Sequence, residues 1–271
     1  MKLLHPVVRF LFGRVLPRTA YPVVRGPLRG CRYLLGATAG DAGGVSVHLG
    51  LQEVEQTRCL TGLLHPGEVF FDVGANVGFY SLLASRIVQS SGRVVAFEPL
   101  PRNLAFLYRH LQLNHATNAT ISPVACADRL GTELFFPGEN NALGRLAEDT
   151  AEDKQTPRNA LLVATVSLDD AVDRLGLRPN VVKIDVEGAE LRVLKGATRT
   201  LREARPSLLL SVHSDELRTS CLRYLADVGY EAEPLNARSG ETATEFVARP
   251  VAKARSANTP VRADYAAALA R

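Results

Sequence analysis

The chain has 271 residues, 46% hydrophobic and 22% charged, with a formal net charge of +4. That is material for one large domain with appendages and a sizeable core, and it excludes a disordered chain, a collagen-like repeat and a small disulfide scaffold. No apolar run is long enough to span a bilayer, and four surplus positive charges are too few to point to nucleic acid.

The charge is uneven. No acidic residue precedes Asp41, whereas Lys2, Arg9, Arg14, Arg18, Arg25, Arg29 and Arg32 all do. Apolar residues such as Val7, Phe10, Leu11 and Val15 fall between them. Residues 1–35 could therefore lie on an anionic membrane surface. The same pattern fits a helix packed on the core with its basic face in water. Pro6, Pro17, Pro22 and Pro27, which break any long helix, favour this second alternative. Arg9 and Arg14 interrupt the apolar segment, so no signal peptide is expected. Cys31, Cys59, Cys126 and Cys221 are widely spaced, without a CxxC pair. They suit reduced thiols in a cytoplasmic enzyme, peripheral at most at the inner membrane surface, better than a zinc or disulfide framework.

From residue 69 strands and helices alternate. Val69–Asp72 is a short apolar run ending at a glycine-rich turn, and Phe79, Leu82, Leu83 and Ile87 follow at helical spacing. Arg93–Phe97 is the next strand. Pro101 opens a helix whose apolar face is Leu104, Leu107, Tyr108 and Leu111. Thr120–Ala125 and Val181–Ile184 predict two further strands, and Leu191, Leu194 and Leu201 line a helix after the second. Ser207–Val212 has the continuous apolar character of a strand buried on both faces. Leu217, Cys221, Leu225 and Val228 mark a last helix closed by Gly229. Tyr230–Leu235 and Thr244–Ala248 supply two more strands. The pattern predicts a doubly wound α/β sheet. It is interrupted by Leu134–Phe136 and Leu161–Val166, a hairpin around the polar stretch Pro137–Ala160. That stretch reads as a flap, with Asn140, Asn141 and Arg145 available to close over a substrate. From about Arg249 a poorly packed tail is expected.

The segment Asp72-Val-Gly74-Ala-Asn76-Val-Gly78-Phe-Tyr80-Ser81 joins the first strand to its helix. Ligands of open α/β sheets bind at this edge. Glycine admits close backbone approach, and a helix N-terminus suits an anionic group. A dinucleotide turn needs G-x-G-x-x-G; here those positions hold Gly74, Asn76 and Phe79, which disfavours a nicotinamide-dependent oxidoreductase. Glu98, ending the second strand before Pro99, can accept hydrogen bonds from ribose hydroxyls. Lys183-Ile-Asp185-Val-Glu187-Gly188-Ala-Glu190 brings three carboxylates to the same edge. Asp185 reads as functional, Glu187 as balanced between roles, and Glu190 as a helix-dipole residue. A carboxylate pair could hold a divalent cation, but no further ligands declare themselves and no metal is expected.

Together these segments resemble the FkbM-type methyltransferases, a class I family dependent on S-adenosylmethionine. The resemblance rests on FFDVGANVGFYSLLAS (70–85), VVAFEP (94–99), VACADRLG (124–131), VSLDD (166–170) and VVKIDVEGAELRVLKGA (181–197), in that order. It implies a Rossmann-like methyltransferase sheet, mostly parallel with an antiparallel last strand, plus the inserted hairpin. This domain would span 68–250, after an N-terminal arm and cap (1–67) and before a tail (251–271). The resemblance further implies that Asp72, Gly74, Asn76 and Gly78, with Tyr80 and Ser81 in the first helical turn, meet the methionine part of the cofactor. Glu98 and Pro99 would meet the ribose, and Ala127 and Asp128 the adenine. Asp185 would lie near the transferred methyl. His213 falls where the family often has a histidine, and Ser211 where it often has glutamate. Asp185, Glu187 and His213 are thus the candidate catalytic residues. The implied reaction is methylation of a hydroxyl on a small molecule, sugar or lipid headgroup. Methylation of nitrogen and a non-catalytic membrane-surface module are the alternatives.

Overall fold

Strands whose side chains alternate between two apolar faces build the centre of the molecule. The computed structural model describes residues 19–37, 44–138, 144–147, 159–235 and 242–251. The described chain opens with an antiparallel hairpin, β1 (Ala20–Pro22) and β2 (Arg32–Leu34), then α1 (Val45–Leu49) and α2 (Val54–Leu63). The alternating region runs β3 (Val69–Val73), α3 (Phe79–Val88), β4 (Arg93–Phe97), α4 (Pro101–Leu113) and β5 (Ala119–Ser122). Then come β6 (Ala125–Cys126), β7 (Gly131–Pro137), β8 (Gly144–Leu146), β9 (Leu161–Val166), α5 (Leu168–Leu175) and β10 (Val181–Ile184). The chain continues through α6 (Glu190–Lys195), α7 (Thr198–Glu203), β11 (Ser207–Ser211), α8 (Asp215–Asp227), β12 (Tyr230–Pro234) and β13 (Glu245–Pro250).

The main sheet has the order β12-β13-β11-β10-β3-β4-β5. The five strands from β11 to β5 are parallel, and β13 runs antiparallel to both neighbours. The antiparallel last strand is therefore as expected, but it sits inside the sheet, with β12 at the edge. Period-two alternation sorts the side chains. Phe70, Val94, Ala96, Val181, Leu209 and Val247 face the layer of α2, α3, α4 and the N-terminal hairpin. Phe71, Val95, Phe97, Val182, Leu208 and Leu210 face α5 to α8. Apolar burial on both faces is what drives the two layers onto the sheet.

Four expectations are corrected. The strand predicted over Thr120–Ala125 is two strands in different sheets, because Pro123 has no N–H to continue the ladder and Ala125–Cys126 pairs with β9 instead. The inserted hairpin is part of a four-stranded sheet, β6-β9-β7-β8. The single helix after β10 is two short ones. A Cβ on Gly196, between them, would lie 2.2 Å from the Ala127 carbonyl oxygen, so α6 ends where it abuts the β6–β7 link. Residues 19–35 form no helix. They pack as a hairpin and turn, with Val23, Leu28, Cys31, Tyr33 and Leu35 buried, so this part of the basic arm turns its apolar side inward. The cap thereby shares one hydrophobic core with β3, α3 and α4. Residues 1–18, Asn140, Asn141 and the tail beyond Val251 lie outside the described residues. No described helix is long and apolar enough to cross a membrane.

Candidate active site

The β3–α3 turn is pressed against the end of β10. The amides of Gly74 and Ala75 both donate to the Phe97 carbonyl, at 3.0 and 2.9 Å, and the Asp185 amide donates to Val73 at 3.0 Å. Gly74 has φ 79°, and a Cβ there would stand 1.8 Å from the Asp185 carbonyl oxygen. Only glycine allows the two strand ends to meet this closely. Asn76 has φ 51°, and its amide donates to Glu98 Oε2 at 2.8 Å. Gly78 serves packing, since a Cβ there would strike Leu107 at 2.4 Å.

A cavity of about 320 Å³ opens at this edge, lined by residues from both sheets and the cap. This is the lower range of small-molecule sites. One end is apolar, with Phe97, Leu100, Val124, Phe135 and Leu146. The other end carries Glu53, Asp185, Glu187, His213 and Glu245. Gly74, Asn76 and Glu98 also line it. The second sheet thus contributes its described residues to the apolar end.

Glu98 is buried and accepts three hydrogen bonds, from Asn76 N–H at Oε2 and from Leu100 N–H and Asn103 Nδ2 at Oε1. A carboxylate offers about four lone-pair positions, so one remains on Oε2. Burial raises its carboxyl, and the two backbone donors offset this in part.

At the polar end His213 stands among three carboxylates. Its Nδ1 lies 2.7 Å from Glu190 Oε1; its Nε2 lies 3.5 Å from Asp185 and 3.4 Å from Glu187. Burial works against a charged imidazole, but the Glu190 hydrogen bond and the Glu187 and Asp185 carboxylates outweigh it, raising His213 to about 9. Asp185 is bonded by Lys183 Nζ at 2.8 Å. Burial opposes its charge, yet the Lys183 ammonium brings its carboxyl below the ordinary value. Glu187, at φ 54°, is raised by burial, and the nearby carboxylates add to this. Ligand atoms of Asp185, Glu187 and His213 lie within 4.8 Å of one another, close enough to share a cation.

Not every candidate reaches the cavity. Asp72 is fully buried, its carboxylate accepting from Ser81 Oγ at 2.6 Å. Asp72, Gly78 and Ser81 thus shape the turn from beneath. Tyr80 stands beside it, donating to Glu53 at 2.7 Å, with Lys183 Nζ 4.8 Å from its ring centroid. Pro99 lines the cavity as expected, but Ala127 and Asp128 do not; Val124, Ala125 and Cys126 take that wall. The Asp128 carboxylate is bound by Arg192 at 2.7 and 3.0 Å, and the same guanidinium holds Glu133 of β7. This fork staples α6 to the second sheet, and Asp128, expected beside the adenine, stands outside the cavity lining.

Sequence reasoning missed four residues. Glu190 is more than a dipole residue, since it is fully buried and holds His213. Lys183 is 2% exposed inside a strand that reads as apolar. Glu53, at φ 39°, comes from the cap. Glu245 comes from β13, paired in register with Ser211, whose hydroxyl donates to it at 2.9 Å. A carboxylate thus stands beside Ser211, where the resemblance leads one to expect glutamate.

The methyltransferase FkbM domain matches residues 72–232, more than half of the chain. The chain belongs to the FkbM methyltransferase family. Its doubly wound, mostly parallel sheet is the fold the motifs suggested. Among its FkbM relatives, the 31-O-demethyl-FK506 methyltransferase of Streptomyces tacrolimicus is 30% identical over 190 residues, covering 59% of this chain and 72% of that protein. The hexuronic acid methyltransferase AglP of Haloferax volcanii is 28% identical over 165 residues, covering 60% of this chain and 63% of that protein. The match thus spans under two thirds of AglP. The FkbM methyltransferase crystal structure from Methylobacillus flagellatus KT has 20% identity and a TM-score of 0.46, covering 79% of this chain and 56% of that one.

Proposed function

We propose that the chain transfers a methyl group from S-adenosylmethionine to a hydroxyl of a small molecule, sugar or lipid headgroup. The observation that carries this is one cavity whose apolar end and polar end share Glu98 and Gly74 in its lining. The residues present fit the cofactor. The apolar end suits an adenine, and the spare lone pair of Glu98 Oε2 suits a ribose hydroxyl. The amides opening α3 suit the carboxylate of a methionine moiety. When bound, S-adenosylmethionine supplies an electrophilic methyl: the C–O bond to the acceptor forms as the C–S bond breaks, its electron pair going to sulfur.

The chain's own part is placement and proton transfer. Asp185, kept anionic by Lys183, orients the acceptor hydroxyl. Glu187, with its raised carboxyl, takes the proton. His213 already holds its proton at neutral pH and so serves as a positive brace between them and not as the base. Most of the acceleration comes from alignment of oxygen and methyl carbon. The test is label transfer from S-adenosylmethionine carrying a radioactive methyl to a panel of hydroxylated acceptors. Asp185→Asn should lower kcat about 10²-fold, the cost of a misplaced acceptor oxygen, with S-adenosylhomocysteine affinity retained. A variant with wild-type turnover would remove Asp185 from the mechanism.

A further inference from the structure

The polar end of the cavity also carries information about the acceptor. Four of its carboxylates come from three places: Asp185 and Glu187 after β10, Glu53 from the cap and Glu245 from β13. The first two lie within the stretch that matches the family, residues 72–232, and the last two lie outside it. Cofactor sites persist in a fold while acceptor walls diverge with appended elements, so Glu53 and Glu245 are where this chain's own specificity is expected.

Both are built in by hydrogen bonds. Glu53 Oε2 accepts from Tyr80 and Oε1 from Gln52 Nε2 at 2.8 Å. Its left-handed backbone, costly for a residue with a Cβ, is the kind of strain that collects at functional positions. Glu245 accepts from Ser211 and from the buried Gln56 side chain. Gln56 Oε1 lies 3.0 Å from the same Tyr80 hydroxyl, whose single proton Glu53 and Gln56 share, so the two glutamates belong to one network.

The charges decide what such a wall admits. Among the described residues no lysine or arginine lines the cavity. Glu98 lines the same cavity and the buried Glu190 holds His213, so six carboxyls surround it, against the His213 imidazolium and the Lys183 ammonium behind Asp185. The carboxyls outnumber the cations, with or without the sulfonium of a bound methyl donor, and the wall is acidic. An anionic acceptor would bring its charge to carboxylates with no cation left to meet it, and like charges brought together carry a heavy penalty. Carboxylates do accept hydrogen bonds from hydroxyls. Burial raises the Glu245 carboxyl to about 7, so near neutrality it also offers a donor to a hydroxyl oxygen.

We propose that Glu53 and Glu245 form the acceptor-recognising wall and select an uncharged, hydroxyl-rich ring over an anionic one. This rests on the methyltransferase reading above. It also separates this chain from its hexuronic acid methylating relative, whose named acceptor bears a carboxylate.

Saturation-transfer NMR on the full chain loaded with S-adenosylhomocysteine tests it, with methyl glucoside, methyl glucuronide and methyl glucosaminide as probes at equal concentration. The glucoside should bind at least about tenfold better than the glucuronide. Glu53→Gln and Glu245→Gln, alone and together, should shift that ratio toward the glucuronide. Glutamine keeps the shape and much of the hydrogen bonding, and retained S-adenosylhomocysteine affinity shows that each variant is folded. The proposal is overturned if the glucuronide binds as well as the glucoside, if the glucosaminide is preferred, if no sugar binds, or if the ratio ignores both substitutions. Failure to bind S-adenosylhomocysteine at all would instead overturn the underlying methyltransferase reading.

Discussion

At neutral pH the imidazole of His213 carries its proton, which gives it a part different from the one its position suggests. Its raised value of about 9 comes from Glu190, Glu187 and Asp185 working against burial. A histidine raised in this way contributes stability that is complete below its ordinary value near 6.5 and is lost as pH rises through about 9. An NMR titration of the ring should show a midpoint near 9 in the wild type and a lower one in Glu190→Gln. A wild-type midpoint at 6.5 would return His213 to the list of bases. At this scale Asp185, Glu187, Glu98 and His213 were legible in the sequence, because each closes a recognisable strand at the ligand-binding edge. Glu53 and Glu245 were not. One depends on a left-handed residue in the cap and the other on an antiparallel register, and neither has a local signature.

Among the elements, the β3–α3 turn is the least tolerant of change. Gly74→Ala must move the Asp185 carbonyl from 1.8 Å and also hold φ at 79°. The expected loss is about 3 kcal/mol or more by urea unfolding, with cofactor binding weakened alongside. A wild-type unfolding midpoint would show that the two strand ends do not meet as described. The bounds of β4, β9 and β10 are those predicted, because apolar strands of a parallel sheet declare themselves. Helix α5 was missed although its start is signalled: Ser167 accepts from the Asp170 amide at 3.0 Å, with the two side chains bonded at 2.7 Å. That is a serine N-cap with acidic residues in the first turn, readable as Ser-Leu-Asp-Asp. The second sheet was half legible. Its β6 strand could not be separated from β5 by pattern alone, since only Pro123 and Val124 divide them.

For the whole molecule, the cap and the sheet fold as one body. His110 of α4 is fully buried, stacks on Tyr33 at 3.7 Å, accepts from the Leu34 amide at 3.0 Å and donates to the Val77 carbonyl at 2.6 Å. Burial lowers it to about 4, so it is neutral in the native state. A histidine lowered in this way contributes stability that is present above pH 6.5 and lost as pH falls toward 4. Between pH 7 and 4.5 about 2 to 3 kcal/mol should go, read as falling hydrogen-exchange protection at the Leu34 amide. An unchanged amide across that range would contradict the neutral, doubly bonded ring. The basic composition pointed to the N-terminal arm but not to this packing, because a stretch interrupted by prolines gives no period to read.

The central claim is that the cavity between Glu98 and Asp185 holds the methyl donor, and calorimetric titration with S-adenosylhomocysteine tests it most directly. Glu98→Ala should weaken binding about 10- to 100-fold, the scale of a lost charge-assisted hydrogen bond. Asp128→Ala, which removes a carboxylate bound to Arg192 and outside the cavity lining, should leave affinity nearly unchanged. Equal affinity in the wild type and Glu98→Ala, or a larger loss in Asp128→Ala, would contradict the account.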